Sequence, residues 1–366
     1  MLAEHAQPGQ PIDVVGTEET RVPAPFPVPI SGFPTPYGLM PLPRRRSRPR
    51  HDPAIQRLHS SKIDIVTSTV DTLLIHPSSD STLTPVATPS VRRSDPSLHS
   101  LNTGFEWLPL ESPFTIITTD QAARYDQEGF FVIEQAFDPG EVAQVVSAID
   151  PIERELEDLL RSSEGGRVFI ARADEITFTT HLVTRSDRLR AFVASSTLVG
   201  LCADLIGPDV RLYWDQAVYK KPDTDASFPW HQDNGYAFVE PQQYLTCWIA
   251  LTDATVDNGC PWVVPGLHRL GTLQHVVTDT GLVCLDDPPD PVPVPVRAGD
   301  MVVFSSLTPH CTGPNRTDDV RKAYIVQYAP DGAEVVNTDT AGIVRRVRAD
   351  AADRQFPVLR QGLRVG

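Results

Sequence analysis

Cysteine is scarce and irregularly placed. The 366-residue chain has five, at positions 202, 247, 260, 284 and 311. The number is odd and no pair has C-x-x-C spacing, which argues against a disulfide framework, a zinc ribbon and a thioredoxin-like redox motif. Reduced thiols are expected, and with them a cytoplasmic protein. No apolar run approaches the ~20 residues that span a bilayer, and the N-terminus lacks the basic-then-apolar order of a secretory signal. Internal repeats and a G-x-G-x-x-G turn are also missing. Basic charge is in deficit, with 32 Lys+Arg against 47 Asp+Glu for a formal net charge of −15. That balance argues against nucleic acid or an anionic membrane surface as the main partner. What remains is an expected small-molecule substrate, with a monomer as the default assembly.

Proline, by contrast, is abundant and unevenly spread. Eleven of the first fifty residues are Pro, including the alternating Pro23–Pro29 run, and a basic cluster Arg44-Arg45-Arg46-Ser47-Arg48-Pro49-Arg50 follows. Each Pro removes a backbone donor and fixes φ, so the segment sustains neither a helix nor a central strand. Residues 1–112 are expected to be a largely disordered extension, 113–345 the folded domain and 346–366 a C-terminal tail. Docking through the basic cluster or the Pro run is the alternative to a bland extension. The apolar run Ile63–Ile75 is a candidate strand.

Past Pro113 the pattern becomes globular. A short helix through Gln127, closed by Gly129, is followed by a Phe130–Ile133 strand. Asp138-Pro139-Gly140-Glu141 opens an amphipathic helix with Val142, Val145, Ile149 and Ile152 on one side and Pro151 as an expected kink. A third helix is expected from Ser186 to Leu205. After Gly207, seven or eight short runs rich in β-branched and aromatic residues alternate with turns such as Asp257-Asn258-Gly259 and Ala298-Gly299-Asp300. Helices followed by many strands predict a mainly β fold with flanking α-helices, built on a double-stranded β-helix (jelly-roll, cupin-like) core.

The chemistry concentrates in Pro229-Trp230-His231-Gln232-Asp233, His310 and Arg321. In extended backbone, residues two apart point to one face, so His231 and Asp233 can approach the same ion. His310, in a loop after the Met301–Phe304 strand, supplies a second imidazole. Two His and one carboxylate leave open positions for a chelating cosubstrate and O2, the facial arrangement of non-haem Fe(II) oxygenases. Arg321 opens the strand Val320–Tyr328. If it points into the barrel, its permanently charged guanidinium needs an anionic partner, and the distal carboxylate of 2-oxoglutarate would serve. These residues alone leave other metals open: the same ligands can hold Zn(II) or Mn(II) for hydrolysis or isomerisation. A non-catalytic binding or sensor protein is a further alternative.

An ordered set of motifs resembles the phytanoyl-CoA dioxygenase family of Fe(II)- and 2-oxoglutarate-dependent oxygenases. It runs from Tyr125–Val132 through Lys221-Pro222, Trp230–Asp233, Cys247–Leu251, Asn258–Cys260 and Pro265–Arg269 to His310 and Arg321–Ala323. The resemblance implies His231, Asp233 and His310 as iron ligands and Arg321 as the anchor of the cosubstrate's C5 carboxylate. It also implies that Thr312 assists that anchor and that Trp248 stands near the cosubstrate. Gln216 and Lys220 are expected to border the substrate. The implied reaction consumes O2 and 2-oxoglutarate, releases succinate and CO2, and oxidises an unactivated C–H bond. Related halogenases carry a small residue in place of the carboxylate, so Asp233 implies hydroxylation or another oxidation over halogenation. His268 is read as a turn residue, and His181 and His275 as surface or core histidines.

Overall fold

The computed structural model describes residues 96–338 and 342–365. Most of the expected extension, the Ile63–Ile75 run included, lies outside them. Residues 96–112 fall inside and pack onto the domain: Leu98 bridges to Leu273, Asn102 is buried, and the Trp107 indole donates to Asp126. Part of the expected extension, residues 96–112, is therefore packed against the domain.

Two capping boxes set the first helices. In α1 (Thr119–Glu128) the Thr118 hydroxyl and the Gln121 side chain cap reciprocally, and Gly129 ends the helix at φ 85°. After β1 (Phe130–Ile133), Asp138 and Glu141 do the same for α2 (Pro139–Ser162), a 24-residue helix that continues through Pro151. A five-residue strand absent from the sequence reading, β2 (Ile176–Thr180), follows. The helix expected from Ser186 to Leu205 is two, α3 (Asp187–Phe192) and α4 (Ser196–Leu205), because the chain turns extended at Ser195.

The remaining principal strands are β3 (Val210–Lys220), β4 (Phe228–His231), β5 (Leu245–Ala250), β6 (Pro261–Val263), β7 (Met301–Ser305), β8 (His310–Thr312), β9 (Arg321–Pro330) and β10 (Pro357–Arg360). The larger sheet has the order β1-β7-β5-β9-β3-β2, extended by two two-residue strands within 167–172. Its pairs are antiparallel, and β10 adds to the start of β3. The expected tail thus contributes a strand to the main sheet, with Val358 and Leu359 buried. The smaller sheet runs Val292–Pro293, β6, β8, β4.

Alternation along the strands sorts the core into two layers. Ala217, Tyr219, Cys247, Ile249, Val303, Tyr324 and Val326 face the helices and pack with Val145, Ile149 and Leu198. Val218, Trp248, Phe304, Ala323 and Ile325 point the other way and pack with Val263 and Phe228 of the smaller sheet. β5, sandwiched between helices and the opposing sheet, is buried at all six positions, so it reads as a continuous apolar run. The result is a double-stranded β-helix with helices on its outer face.

Candidate metal and cosubstrate site

β4 and β8 pair so that His231 lies opposite His310. Gln232 between His231 and Asp233 is extended (φ −109°, ψ 145°), and a single 3-10 turn over Asp233–Gly235 follows. Asp233 therefore projects to the same side as the two imidazoles. Asp233 Oδ1 is 3.9 Å from His231 Nε2 and 3.9 Å from His310 Nε2. An ion about 2.1 Å from each donor can bridge atoms up to about 4.2 Å apart, so these separations suit a shared cation. One ligand atom from each of the three residues lies within 4.8 Å of the others.

The backbone fixes which ring nitrogens are available. His231 Nδ1 donates to Pro229 O at 2.8 Å and His310 Nδ1 to Thr308 O at 3.0 Å. Each Nε2 then keeps its lone pair for a metal. Burial, with a smaller contribution from neighbouring His310, holds the His231 pKa well below the ordinary imidazole value. Burial also raises the Asp233 carboxyl, opposed by His310 and by hydrogen bonds from Thr246 and Gln327. The Thr246 hydroxyl donates to Asp233 Oδ2 at 2.5 Å, so the carboxylate's second oxygen is held and Oδ1 is left toward the histidines.

Sequence reasoning missed this support. Thr246 and Gln327 are cross-strand partners on β5 and β9, each on the inward face, two residues before Trp248 and six after Arg321. That period-2 relation was the available signal. His275 was read as a surface or core residue. It is buried, and its Nε2 accepts the Gln232 amide N–H at 2.9 Å, so it holds the backbone between two candidate ligands. Gln232 donates to Gly271 O and Leu307 O and accepts from the Leu273 amide. A Cβ added at Gly235 would lie 2.1 Å from the His275 ring, so only glycine fits beside it.

Arg321 is 1% exposed. Its one side-chain hydrogen bond among the described residues is a long one, Nη1 to Val218 O at 3.5 Å, while Nε and Nη2 are buried with no partner. Burial lowers its pKa to about 10, which leaves it charged at neutral pH. A buried guanidinium with two idle nitrogens fits a carboxylate ligand. Trp248 stands beside it, with the guanidinium carbon 5.4 Å from the ring centroid, and Thr312 is buried two residues beyond His310. Lys220, the cross-strand partner of Arg321, was expected to border the substrate. Instead its ammonium donates to Ala226 O at 3.0 Å, Thr312 O at 3.1 Å and Gly313 O. It is four residues further along β3 than Gln216 and is absent from the cleft lining, where Gln216 is present. The cleft reaches His231 and Asp233 and is walled by Phe178, Trp214, Phe228, Tyr236, Gln216 and Gln327. His268 is buried in the 3-10 turn Leu267–Leu270, and His181 packs edge-on to Trp214 at 4.4 Å.

The family model described as Phytanoyl-CoA dioxygenase (PhyH) matches residues 125–323, more than half of the chain. The chain belongs to the phytanoyl-CoA dioxygenase family. It is accordingly a 2-oxoglutarate-dependent dioxygenase, with iron and 2-oxoglutarate as its cofactor and cosubstrate. A methylphosphonate hydroxylase of Gimesia maris is 27% identical over 226 residues, covering 58% of this chain and 81% of that protein. Among solved structures, the epimerase SnoN in complex with Fe3+, alpha ketoglutarate and nogalamycin RO has a TM-score of 0.52 at 25% identity, covering 65% of this chain and 97% of that one. The carbocyclase SnoK from nogalamycin biosynthesis has a TM-score of 0.51 at 25% identity, covering 61% and 90%.

Proposed function

We propose that His231, Asp233 and His310 hold the Fe(II), that Arg321 receives the far carboxylate of 2-oxoglutarate with Thr312 and Trp248 beside it, and that the enzyme oxidises a C–H bond of a small molecule bound in the cleft. The observation that carries this reading is the pairing of two features in one barrel. Three ligand atoms converge within 4.8 Å, and a buried guanidinium nearby has two nitrogens without partners.

Iron and 2-oxoglutarate supply the oxidising power, with O2 consumed and succinate and CO2 released. The chain's own residues set the geometry. Pro229 O and Thr308 O keep both histidines in the tautomer that presents Nε2. Thr246 orients Asp233 through its second oxygen, and Gln327 adds a hydrogen bond to the same carboxylate. Arg321 offers a fork to a carboxylate at a fixed depth, and the apolar shell of Val263, Phe304 and Ile325 excludes water from the space between. Asp233 occupies the position a halide would require, which favours hydroxylation or another dehydrogenative oxidation. Relatives named as hydroxylase, epimerase and carbocyclase are consistent with an outcome that depends on the substrate's pose.

The test is anaerobic reconstitution with Fe(II) and 2-oxoglutarate, followed by air. A weak visible charge-transfer band, then succinate release, is the expected result. A Zn(II)- or Mn(II)-dependent activity that ignores 2-oxoglutarate would replace this reading with a hydrolase or isomerase. Bound iron without succinate would indicate a binding or sensor protein. We also place the protein in the cytoplasm, as a monomer without nucleic-acid or membrane partners. The support is five unpaired thiols, four of them buried, the acidic balance, and the lack among the described residues of a helix long and apolar enough to cross a membrane. Light scattering after size exclusion tests the monomer.

A further inference from the structure

The cleft has a chemical character that identifies what it accepts. Five of its twelve lining residues are aromatic, in a chain that is 7% aromatic. The rings form a wall leading to the metal ligands. Phe178 lies 5.2 Å from Phe228 between centroids, Phe228 and Tyr236 are nearly parallel (17°, 6.2 Å), and Phe228 meets the His231 ring edge-on at 4.6 Å. Trp214 and Gln216 project from β3 into the same space, and Trp214, Phe228 and Tyr236 are only partly buried. Such half-covered faces gain by stacking against a flat partner.

Charge is as informative as shape. No Lys or Arg lines the cleft, and its only carboxyl group is that of Asp233. The two inward cations, Arg321 and Lys220, are absent from its walls. Apart from the metal, an entering phosphonate or phosphate would find no cationic side chain, whereas sites for such anions are commonly built from Arg, Lys or helix N-termini. The cleft does offer a neutral donor. The Gln216 side-chain oxygen accepts from the Trp214 indole at 3.2 Å, which fixes the amide and leaves its NH2 group without a partner among the described residues.

We propose that the substrate is a neutral, ring-bearing molecule with a flat apolar face and a carbonyl or hydroxyl oxygen that Gln216 reads, and that phosphonates and CoA thioesters are excluded. This rests on the reading of the iron site above. It separates the chain from its Gimesia relative, whose named substrate is a small anion.

The experiment uses the full chain loaded anaerobically with Fe(II) and 2-oxoglutarate, monitored by the charge-transfer band and by tryptophan fluorescence. The probes are fluorenone, its hydrocarbon counterpart fluorene, methylphosphonate and octanoyl-CoA. Fluorenone is expected to bind and perturb the band, fluorene to bind more weakly, and the two anions to do neither. Trp214→Leu should weaken both ring probes roughly 2- to 10-fold, the range of one aromatic contact, with the band itself retained. Gln216→Leu should abolish the preference for fluorenone over fluorene without weakening fluorene, which a general loss of fold would not produce. Perturbation by methylphosphonate or octanoyl-CoA, or by no probe at all, overturns the substrate class while the band still stands. Failure of the band to form in the unsubstituted enzyme strikes instead at the iron site.

Discussion

β3 and β9 lie side by side, and the inward faces at their two ends differ in kind. At one end Lys220 pairs with Arg321, and at the other Trp214 pairs with Gln327. The first end is buried and cationic: Lys220 is saturated by three carbonyls, and Arg321 keeps two nitrogens idle. The second is partly open, aromatic and without a cation. A buried, unmatched guanidinium is destabilising in an apolar interior, so its presence makes sense where an anion completes it. The neutral end has no such demand. On the proposed reading, one ladder sorts its charge so that an anionic cosubstrate and an uncharged substrate are directed to different places around a common metal.

The sharpest way to break this arrangement is at the metal that both ends serve. Asp233→Ala removes a ligand and should abolish succinate formation and iron retention, a loss beyond the roughly 10–100-fold of outer-shell changes; metal analysis after desalting and a succinate assay measure it. Arg321→Met attacks the cationic end alone. Removing one partner of a buried pair costs about 3–5 kcal/mol, so the KM for 2-oxoglutarate should rise on the order of 100- to 1,000-fold. Because the unliganded chain then loses an unmatched charge, its melting temperature should not fall, while its stabilisation by 2-oxoglutarate should vanish. A large drop in the melting temperature of the ligand-free variant would show that Arg321 is a structural residue, and the comparison would fail.

Thr246→Val tests the link between the metal and the neutral end. It removes the hydroxyl that donates to Asp233 Oδ2 and keeps nearly the same volume, so about 10- to 100-fold should be lost in iron affinity or turnover. Thr246→Ser should restore most of it. Equal activity in Thr246→Val would mean that Gln327 alone suffices to orient the carboxylate.

The residues proposed for the metal and the carboxylate anchor stood out before the fold, whereas of the rest of the cleft only Gln216 did, for a physical reason. Metal ligands and a carboxylate anchor require particular residue types at fixed spacings, so His231, Asp233, His310 and Arg321 stand out along the chain. The jelly roll was readable too, from short β-branched runs between turns. The cleft is built from residues whose types are ordinary in strands, Phe178, Trp214, Gln216 and Phe228, and only cross-strand register makes neighbours of them. Lys220 shows the converse: a lysine near a pocket in sequence reads as a contact, yet bulges and loop carbonyls decide where its ammonium goes. The Pro113 boundary leaves out Asn102 and Trp107, which pack onto the domain from a segment with no periodicity to signal it. Asn102 anchors it by donating to Leu270 O and Thr272 O and accepting from Gln242, and Trp107 by donating to Asp126.

The smallest expected effect on turnover lies behind the ladder, at Asp215. It sits on β3 between Trp214 and Gln216 but faces the helices, fully buried. Its Oδ2 accepts from Tyr324 at 2.9 Å and from the Val183 amide, while Oδ1 has no partner. Burial raises its pKa to about 7, against these hydrogen bonds. The unfolded chain releases this proton near the ordinary carboxylate value, about 3.9, and the folded chain only near 7. Between those limits the folded state holds more protons, so stability must fall as pH rises through the window and level off above it. Asp215→Asn should remove up to about 1.4 kcal/mol per pH unit of that slope and leave the variant the more stable of the two at pH 8, read by urea unfolding across pH 4–8. A slope unchanged by the substitution would mean that Asp215 is ionised in the folded state. The back of the ladder would then carry buried charge of its own, and the division between its two ends would no longer be the only sorting of charge along it.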